Sequence, residues 1–407
     1  MPEAQEETGP GGPLAGVRVV ELAGIGPGPF SVMLLADMGA EVVRVDRTGP
    51  PSADYTPNPV IERGRRSIAL DLKSPDGVAV LLDLVATADV LVESYRPGVA
   101  ERLGVGPDRC LAVNPRLVYG RLTAWGQDGP LAQVVGHDIN YIGMTGALHS
   151  MGRAGERPVP PLNLVGDFGG GAASLAFGVV CALLEARTSG RGQVVDANVL
   201  ESTSTLMGLV HGLRAQGRWS TERGTNLLDT GCPYYDVYTC ADGRWVAFGA
   251  IEERFFRNAL GVLGLTDPDL VSAHKDRTRW PALRAALTDA FGGRDRDDWT
   301  AAFEGVEACV SPVLDLDEAA AHEHAVARAA YAEVPGVPPG SPVRQPAVAP
   351  RFSRSPTPVP GAAPGPGQDS AAVLAQLGYD AARVAALVDS GAVGTPHSAG
   401  SPRSPRS

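Results

Sequence analysis

Two short segments carry residue types able to move a proton: "GHDINY", residues 136–141, and "GDFGGG", residues 166–171. The imidazole of His137 changes charge near neutrality without extreme tuning. The carboxyl of Asp167 becomes a second acid or base if its surroundings bring its pKa toward the working pH. Asp167 opens a glycine-rich entry to an apolar run, an N-cap setting in which free amides and the helix dipole favour a carboxylate. Gly169, Gly170 and Gly171 let backbone approach another group closely. Spacing alone does not pair the two residues. A histidine beside Asp138 reads first as a hydrogen-bonded structural residue, and an aspartate before glycines as a plain helix cap.

A third segment, "VVELAGIGPGPF" (19–30), sits between an apolar run and a helical one, where a dinucleotide loop belongs. Gly24, Gly26 and the later Asp46 meet part of the Gly-x-Gly-x-x-Gly pattern with its ribose-binding acid. Pro27 and Pro29 do not: each removes an N–H that ought to face a pyrophosphate, and Pro29 takes the third glycine's place. The loop is a poor phosphate cradle. Arg47 follows Asp46 and suits a phosphate better than a ribose hydroxyl. Arg63, Arg65 and Arg66 precede "LDLK" (70–73), and "YRPGVAERLG" adds Arg96 and Arg102. Bases at strand ends can collect a ligand with several phosphates, although each one singly reads as solvated or paired with nearby Asp and Glu. His322 and His324 in "AHEHA" stand two apart, point away from each other on a helix and have no third ligand set, so no metal is expected.

These residues need elements to hold them. "VRVVEL", "FSVMLLADMGA" with Gly39 near its stop, and "EVVRVD" read as strand, helix and strand over 17–46. "PDGVAVLLDLVAT" predicts a helix, "ADVLVES" and "RLVYGRL" predict strands, and the alternation favours an α/β fold with a parallel, Rossmann-like sheet. "AASLAFGVVCALLEAR" (172–187) lacks a polar stripe, which predicts burial all round before the strand-like "VVDANV". "PYYDVYTCADGRWVAFGA" (233–250) alternates about Asp242-Gly243, the chemistry of a two-residue β-hairpin turn. Helical patterns follow, making a smaller α+β domain. The organisation expected is a flexible N-terminus over 1–11, a large domain over 12–200, a linker over 201–234 and a small domain over 235–325. A Pro-rich extended return linker over 326–366, one amphipathic helical segment over 367–393 and a disordered tail over 394–407 complete it.

The chain has 407 residues, 44% hydrophobic and 20% charged, enough for a sizeable core, and its net charge of −11 without a basic track argues against nucleic acid. No secretory signal pattern opens it and no apolar run of membrane-spanning length is read, so no membrane partner is expected. The cysteines at 110, 181, 232, 240 and 309 show no Cys-x-x-Cys spacing and suit a reducing cytoplasm.

Seven segments in order, "GPLAGVRVVELAGIGPGPFSVMLLADMGAEVVRVDR", "SIALDLKSPDG", "SYRPGVAERLG", "GHDINY", "RPVPPLNLVGDFGGG", "GRGQVVDANV" and "GAIEERFF", resemble the class III coenzyme A transferase superfamily. Within it they most resemble the branch of 2-methylacyl-CoA racemases. The resemblance runs from about residue 12 to about 355 and excludes the Pro- and Ser-rich tail. It implies a large and a small domain joined by two long linkers, an interlocked homodimer, and CoA rather than NAD near the strand ends. It implies no separate cofactor, CoA being part of the substrate.

The resemblance also implies roles. Arg47, Leu70, Asp71, Leu72, Lys73, Arg96 and Arg102 contact the CoA nucleotide; Gly136, Asp138, Ile139, Asn140 and Tyr141 border the thioester end. His137 and Asp167 form a two-base pair that takes the α-proton from one face and returns one to the other through an enolate, interconverting (2R)- and (2S)-2-methylacyl-CoA. The amides of Gly169 and Gly170 are expected to stabilise the enolate oxygen. Glu252 matches an acid that reaches the site from the small domain and hydrogen-bonds to the histidine; "EER" stands where many relatives have Glu-Pro-Gln, so Glu253 is an added charge. The alternative is a CoA transferase of the same fold, in which an aspartate matching Asp167 attacks the thioester and carries the acyl group as an anhydride. A histidine is superfluous for that exchange. A silent CoA-binding or assembly protein would be marked by loss of His137 or Asp167, and both are present.

Overall fold

The computed structural model describes residues 11–49, 58–335 and 342–396. The chain divides into two compact units, the first made of Met1–Thr145, Leu162–Leu206 and Ala327–Ser407, the second of Gly146–Pro161 and Met207–Val326.

In the first unit, β1 (Arg18–Leu22), α1 (Pro27–Asp37) and β2 (Glu41–Arg47) form the strand–helix–strand motif. Gly39, at φ +96°, supplies the left-handed turn between α1 and β2 that a β-carbon resists. Strand β3 (Arg65–Leu70), helix α2 (Pro75–Thr87), β4 (Val90–Glu93), β5 (Val118–Thr123) and β6 (Gln193–Asn198) continue the alternation. Val, with Leu second among the apolar residues, dominates the inner strands because both faces are covered by helices, as in any buried parallel sheet. Between β5 and β6 lie α3 (Asp138–Gly143) and one continuous helix α4, Leu164–Ser189, whose first nine residues are π-helical. Helix α5 (Val199–Leu206) follows β6.

The second unit contains helix α6 (Gly208–Ala215) and the antiparallel sheet β7 (Tyr235–Thr239), β8 (Trp245–Gly249) and β9 (Val310–Pro312). Its longer helices after the hairpin are α7 (Glu253–Leu263), α8 (Trp280–Phe291) and α9 (Arg296–Ala302), with Phe248, Phe256, Phe291 and Trp299 at its core. The span 201–234 read as a linker is therefore helical in its first part, to residue 215. The hairpin has a three-residue turn rather than two: Cys240 N donates to Arg244 O at 2.8 Å, and Gly243 takes the left-handed position at φ +76°.

Back in the first unit, the return segment is not simply extended. Strands β10 (Tyr331–Pro335) and β11 (Pro342–Pro346) pair antiparallel within it. The single C-terminal helix expected is two helices, α10 (Ser370–Gln376) and α11 (Ala381–Asp389), followed by β12 (Val393–Gly394). Gly378 at φ +84° ends the first, and the Asp380 carboxylate accepts from Arg383 N to start the second.

The large sheet runs β12-β3-β2-β1-β4-β5-β6, parallel except for β12 on the edge. Strand order reverses at β1, so the loops after β1 and β4 diverge and leave a crevice at the strands' carboxyl ends. Leu81, Val85 and Leu374 pack on one face; Val32, Leu35, Leu175 and Val179 pack on the other. Helix α4 is buried on that side alone. Phe177 and Leu184 are 73% and 67% exposed on its outer face, contrary to the all-round burial its composition predicts. At 26 residues it also meets a membrane helix in length and apolar character, although its inner face serves the sheet core.

Buried charges cross the sheet. Arg65 pairs with Glu21 at 2.8 Å, and Arg44 pairs with Asp46 at 2.9 Å and with Glu62. Burial raises the pKa of Glu21 and Asp46, and the neighbouring guanidinium groups oppose it. Arg65→Met removes a charge while its acidic partner stays buried; a loss of about 3–5 kcal/mol is expected in urea unfolding. An unchanged midpoint would show that the pair contributes nothing.

Candidate active site

The crevice at the strand ends is a cavity of about 720 Å³ in the first unit, lined among others by Gly26, Tyr95, Arg96, Trp125, His137 and Asp167. Its floor explains the glycine loop after β1. A β-carbon on Gly28 would stand 2.7 Å from Ser94 Oγ, so this glycine lets the first turn of α1 lie against the β4 loop. Gly26, at φ +77°, caps α1, and a β-carbon there would stand 3.8 Å from Asp167 Oδ2. The loop thus brings two strand ends and a carboxylate together.

His137 is the N-cap residue of α3, exposed toward the cavity it lines. Its N–H donates to Asn140 Oδ1 at 3.0 Å, and its carbonyl accepts from Asn140 N at 2.8 Å. The preceding residues are pinned as well. Tyr141 Oη donates to Gly136 O, and Trp125 donates through Nε1 to Val134 O at 3.0 Å while meeting the Tyr141 ring edge-on. The imidazole is therefore carried on a backbone held from both sides.

Asp167 lies in the π-helical first turns of α4, and Asn163, not Asp167, is the N-cap residue. Its main-chain N–H donates to Asp138 Oδ2 at 2.7 Å. Its carboxyl pKa is raised to about 6: burial is the largest cause, the Asp138 charge adds to it, and Asn163 and His137 oppose it. A carboxyl in that range can both accept and return a proton near neutrality. Phe168, the next residue, stacks on Phe30 of α1 at 4.3 Å and fixes the turn to the sheet side.

The amides of Gly169 and Gly170 do not serve as oxyanion donors. They lie within the π-helical segment, whose i→i−5 ladder starts with Phe168 N donating to Asn163 O at 3.2 Å, so their protons are spent on backbone. The glycines serve packing. A β-carbon on Gly170 would reach Thr203 Oγ1 at 2.8 Å, and one on Gly171 would reach Val199 at 2.9 Å, both on α5.

The other expected contacts separate into groups. Arg96, Gly136, Asn140 and Tyr141 line the cavity with the pair; Arg47, Lys73, Arg102 and Ile139 are exposed but outside its lining. Arg47 ends β2, and its charge reaches Tyr95, whose phenol burial pushes up to about 12. Leu70 is a core residue, 1% exposed, and so offers a ligand no side chain; Leu72 packs against the same core. Asp71 accepts from Lys73 N at 3.0 Å. Asp138 is buried behind Asp167 rather than bordering the cavity. Arg63 pairs with Asp37 at 2.6 Å and Arg65 with Glu21, so neither awaits a phosphate; Arg66 donates to Gln376. Glu252 belongs to the second unit, exposed at the N-cap of α7. Glu253 forms surface ion pairs with Arg257 and Lys275, which hold its carboxyl near 2. Sequence reasoning missed Tyr95, Trp125 and Asn163; the first two follow the ends of β4 and β5, a position that marks them once the sheet order is known.

The fold is that of a CAIB/BAIF family protein from Brucella suis, with a TM-score of 0.76 over 90% of this chain and 100% of that one, at 23% identity. The model of CoA-transferase family III matches residues 14–370, and the chain belongs to that family. It is 44% identical over 368 residues to the α-methylacyl-CoA racemase of Mus musculus, spanning 90% of this chain and 93% of the mouse protein. The human α-methylacyl-CoA racemase is 42% identical over 78% of this chain and 82% of its own length. The succinyl-CoA:glutarate CoA-transferase of Mus musculus is 30% identical over 75% and 73%.

The geometry yields a test of placement. Gly166 leaves room for Asp138 Oδ2, and a β-carbon there would also stand 2.7 Å from Ile142 of α3. Gly166→Ala should push α3 and α4 apart and lower turnover about 100-fold, the scale of a 1 Å misplacement, with far-UV circular dichroism unchanged. Full activity in that variant would mean that this contact does not set the site.

Proposed function

We propose that the protein is a racemase that interconverts (2R)- and (2S)-2-methylacyl-CoA thioesters. The observation that carries this reading is that His137 and Asp167, thirty residues apart in sequence, line one cavity at the switch point of the sheet. One group takes the α-proton, and the C–H electron pair moves into an enolate with its charge on the thioester oxygen. The other, already protonated, delivers a proton to the opposite face of the same carbon. The roles exchange for the reverse direction, so the reaction needs no acceptor acid, oxidant or separate cofactor. With Gly169 and Gly170 engaged, amides for the enolate oxygen must come from elsewhere. The unspent main-chain amides nearest to it are those of Asp138 and Ile139, which precede the first intrahelical donor of α3 and lie in the chain between the cavity-lining His137 and Asn140.

The exposed bases Arg47, Arg96 and Arg102 at the strand ends suit the phosphates of CoA, and Lys73 adds a fourth cation. The acyl chain is served by apolar side chains at the cavity, Ile25, Val134 and Val135, which are 75%, 49% and 66% exposed. We further propose a homodimer. The outer face of α4 presents Leu164, Phe177, Val180 and Leu184, an apolar row of the kind that a second copy covers.

In deuterated water, a pure (2S)-2-methylacyl-CoA should racemise and take up one deuterium at the α-carbon without any added carboxylic acid. His137→Ala and Asp167→Asn should each lower racemisation by about 10²–10⁴-fold, the usual contribution of a general acid or base. Exchange that appears only when a free carboxylic acid is supplied would favour acyl transfer through Asp167. For the dimer, Leu184→Glu should lower the mass measured by light scattering from two chains to one. An unchanged mass would exclude this face from the interface.

A further inference from the structure

We propose that Asp138 is a positioning residue for Asp167: its buried carboxylate grips the Asp167 main chain and sets a second negative charge directly behind the reacting carboxyl. This rests on the racemase reading above and concerns how the pair is tuned. Three observations carry it. Asp138 is only 6% exposed, a costly place for a carboxylate. One of its oxygens accepts from Asp167 N at 2.7 Å, and the other is buried with no hydrogen-bond partner. The adjoining Gly166 has no β-carbon, and one would collide with Asp138 Oδ2. A neutral amide would make the same hydrogen bond at lower desolvation cost, so the retained charge has an effect the bond alone does not explain.

That effect is on Asp167. The charge behind it opposes ionisation and adds to burial in lifting its pKa. The groups around Asp167 are few. Helix α3 and its cap contribute His137, Asp138 and Tyr141, and the β4 loop contributes Arg96. Among the strands beneath, Arg121 of β5 is paired with Glu93 and Glu101, and β6 carries Asp196. Helix α5 carries Glu201, while the acid of α1, Asp37, is bound to Arg63. Of these, Asp138 is the only acid in direct contact with the Asp167 backbone among the described residues.

Both directions of a two-base racemisation need one proton on the pair, so kcat/KM against pH should be a bell whose limbs belong to the pair jointly. Asp138→Asn keeps an oxygen that accepts from Asp167 N but deletes the charge. It should move the acid limb down by on the order of one unit, as removal of a nearby like charge requires, and leave the alkaline limb in place. The form in which Asp167 holds the proton becomes rarer by the same factor, so kcat should fall about tenfold at neutral pH with KM little changed. Asp138→Ser, smaller and also neutral, gives the same reading should the amide variant not fold. The assay is α-deuterium uptake by a 2-methylacyl-CoA across pH. If wild type exchanges and the variant profile superimposes on it, Asp138 is structural only and the inference falls. If wild type does not exchange, the racemase reading itself falls and this inference with it.

Discussion

The contact between the Asp138 carboxylate and the Asp167 N–H is the constraint on which the site depends. It joins the first turn of α3, which carries His137, to the first turns of α4, which carry Asp167. The Asp138 charge so close to the half-buried Asp167 adds to the cost of ionising Asp167. Burial is the larger cause and this charge adds to it, and together they lift the Asp167 carboxyl to about 6. A cap made by a neutral side chain would hold the same backbone and leave Asp167 a weaker base.

The glycines around this contact do a different job from the one their spacing suggests. Gly28 admits Ser94, Gly166 admits Asp138, and Gly170 and Gly171 admit α5. Each removes a β-carbon where two elements must approach within van der Waals distance, so their shared effect is to converge β1, β4, α3, α4 and α5 on one crevice. The sheet order supplies the crevice itself, because connections leave β1 and β4 in opposite directions. The buried ion pairs of Glu21, Arg44, Asp46, Glu62 and Arg65 are likewise interior fittings.

Much of the architecture was legible in the chain. The runs at 17–46, the helix at 75–87 and the strands near 90 and 118 have patterns strong enough for local reasoning to find them. Strand β3 was missed because arginines open it, and their burial depends on acids brought by β1 and by residues elsewhere in sequence. The break at Gly378 and the cap at Asp380 are local signals masked by an amphipathic pattern that runs through both. For the site, the chemistry of His137 and Asp167 was readable and their pairing was not, since only the family pattern joined them before the fold did. Gly169 and Gly170 misled because an α-helical start would free their amides, whereas the π-helical start engages them. Nothing local predicts that choice.

In the proposed reaction an imidazole and a carboxyl address one carbon from opposite faces. A crystal structure with a bound 2-methylacyl-CoA, or a planar enolate analogue of it, tests this most directly. A ring nitrogen of His137 and a carboxyl oxygen of Asp167 should stand on opposite sides of carbon two, each about 3–3.5 Å away. Both groups on one side, or either well beyond reach of that carbon, would contradict it.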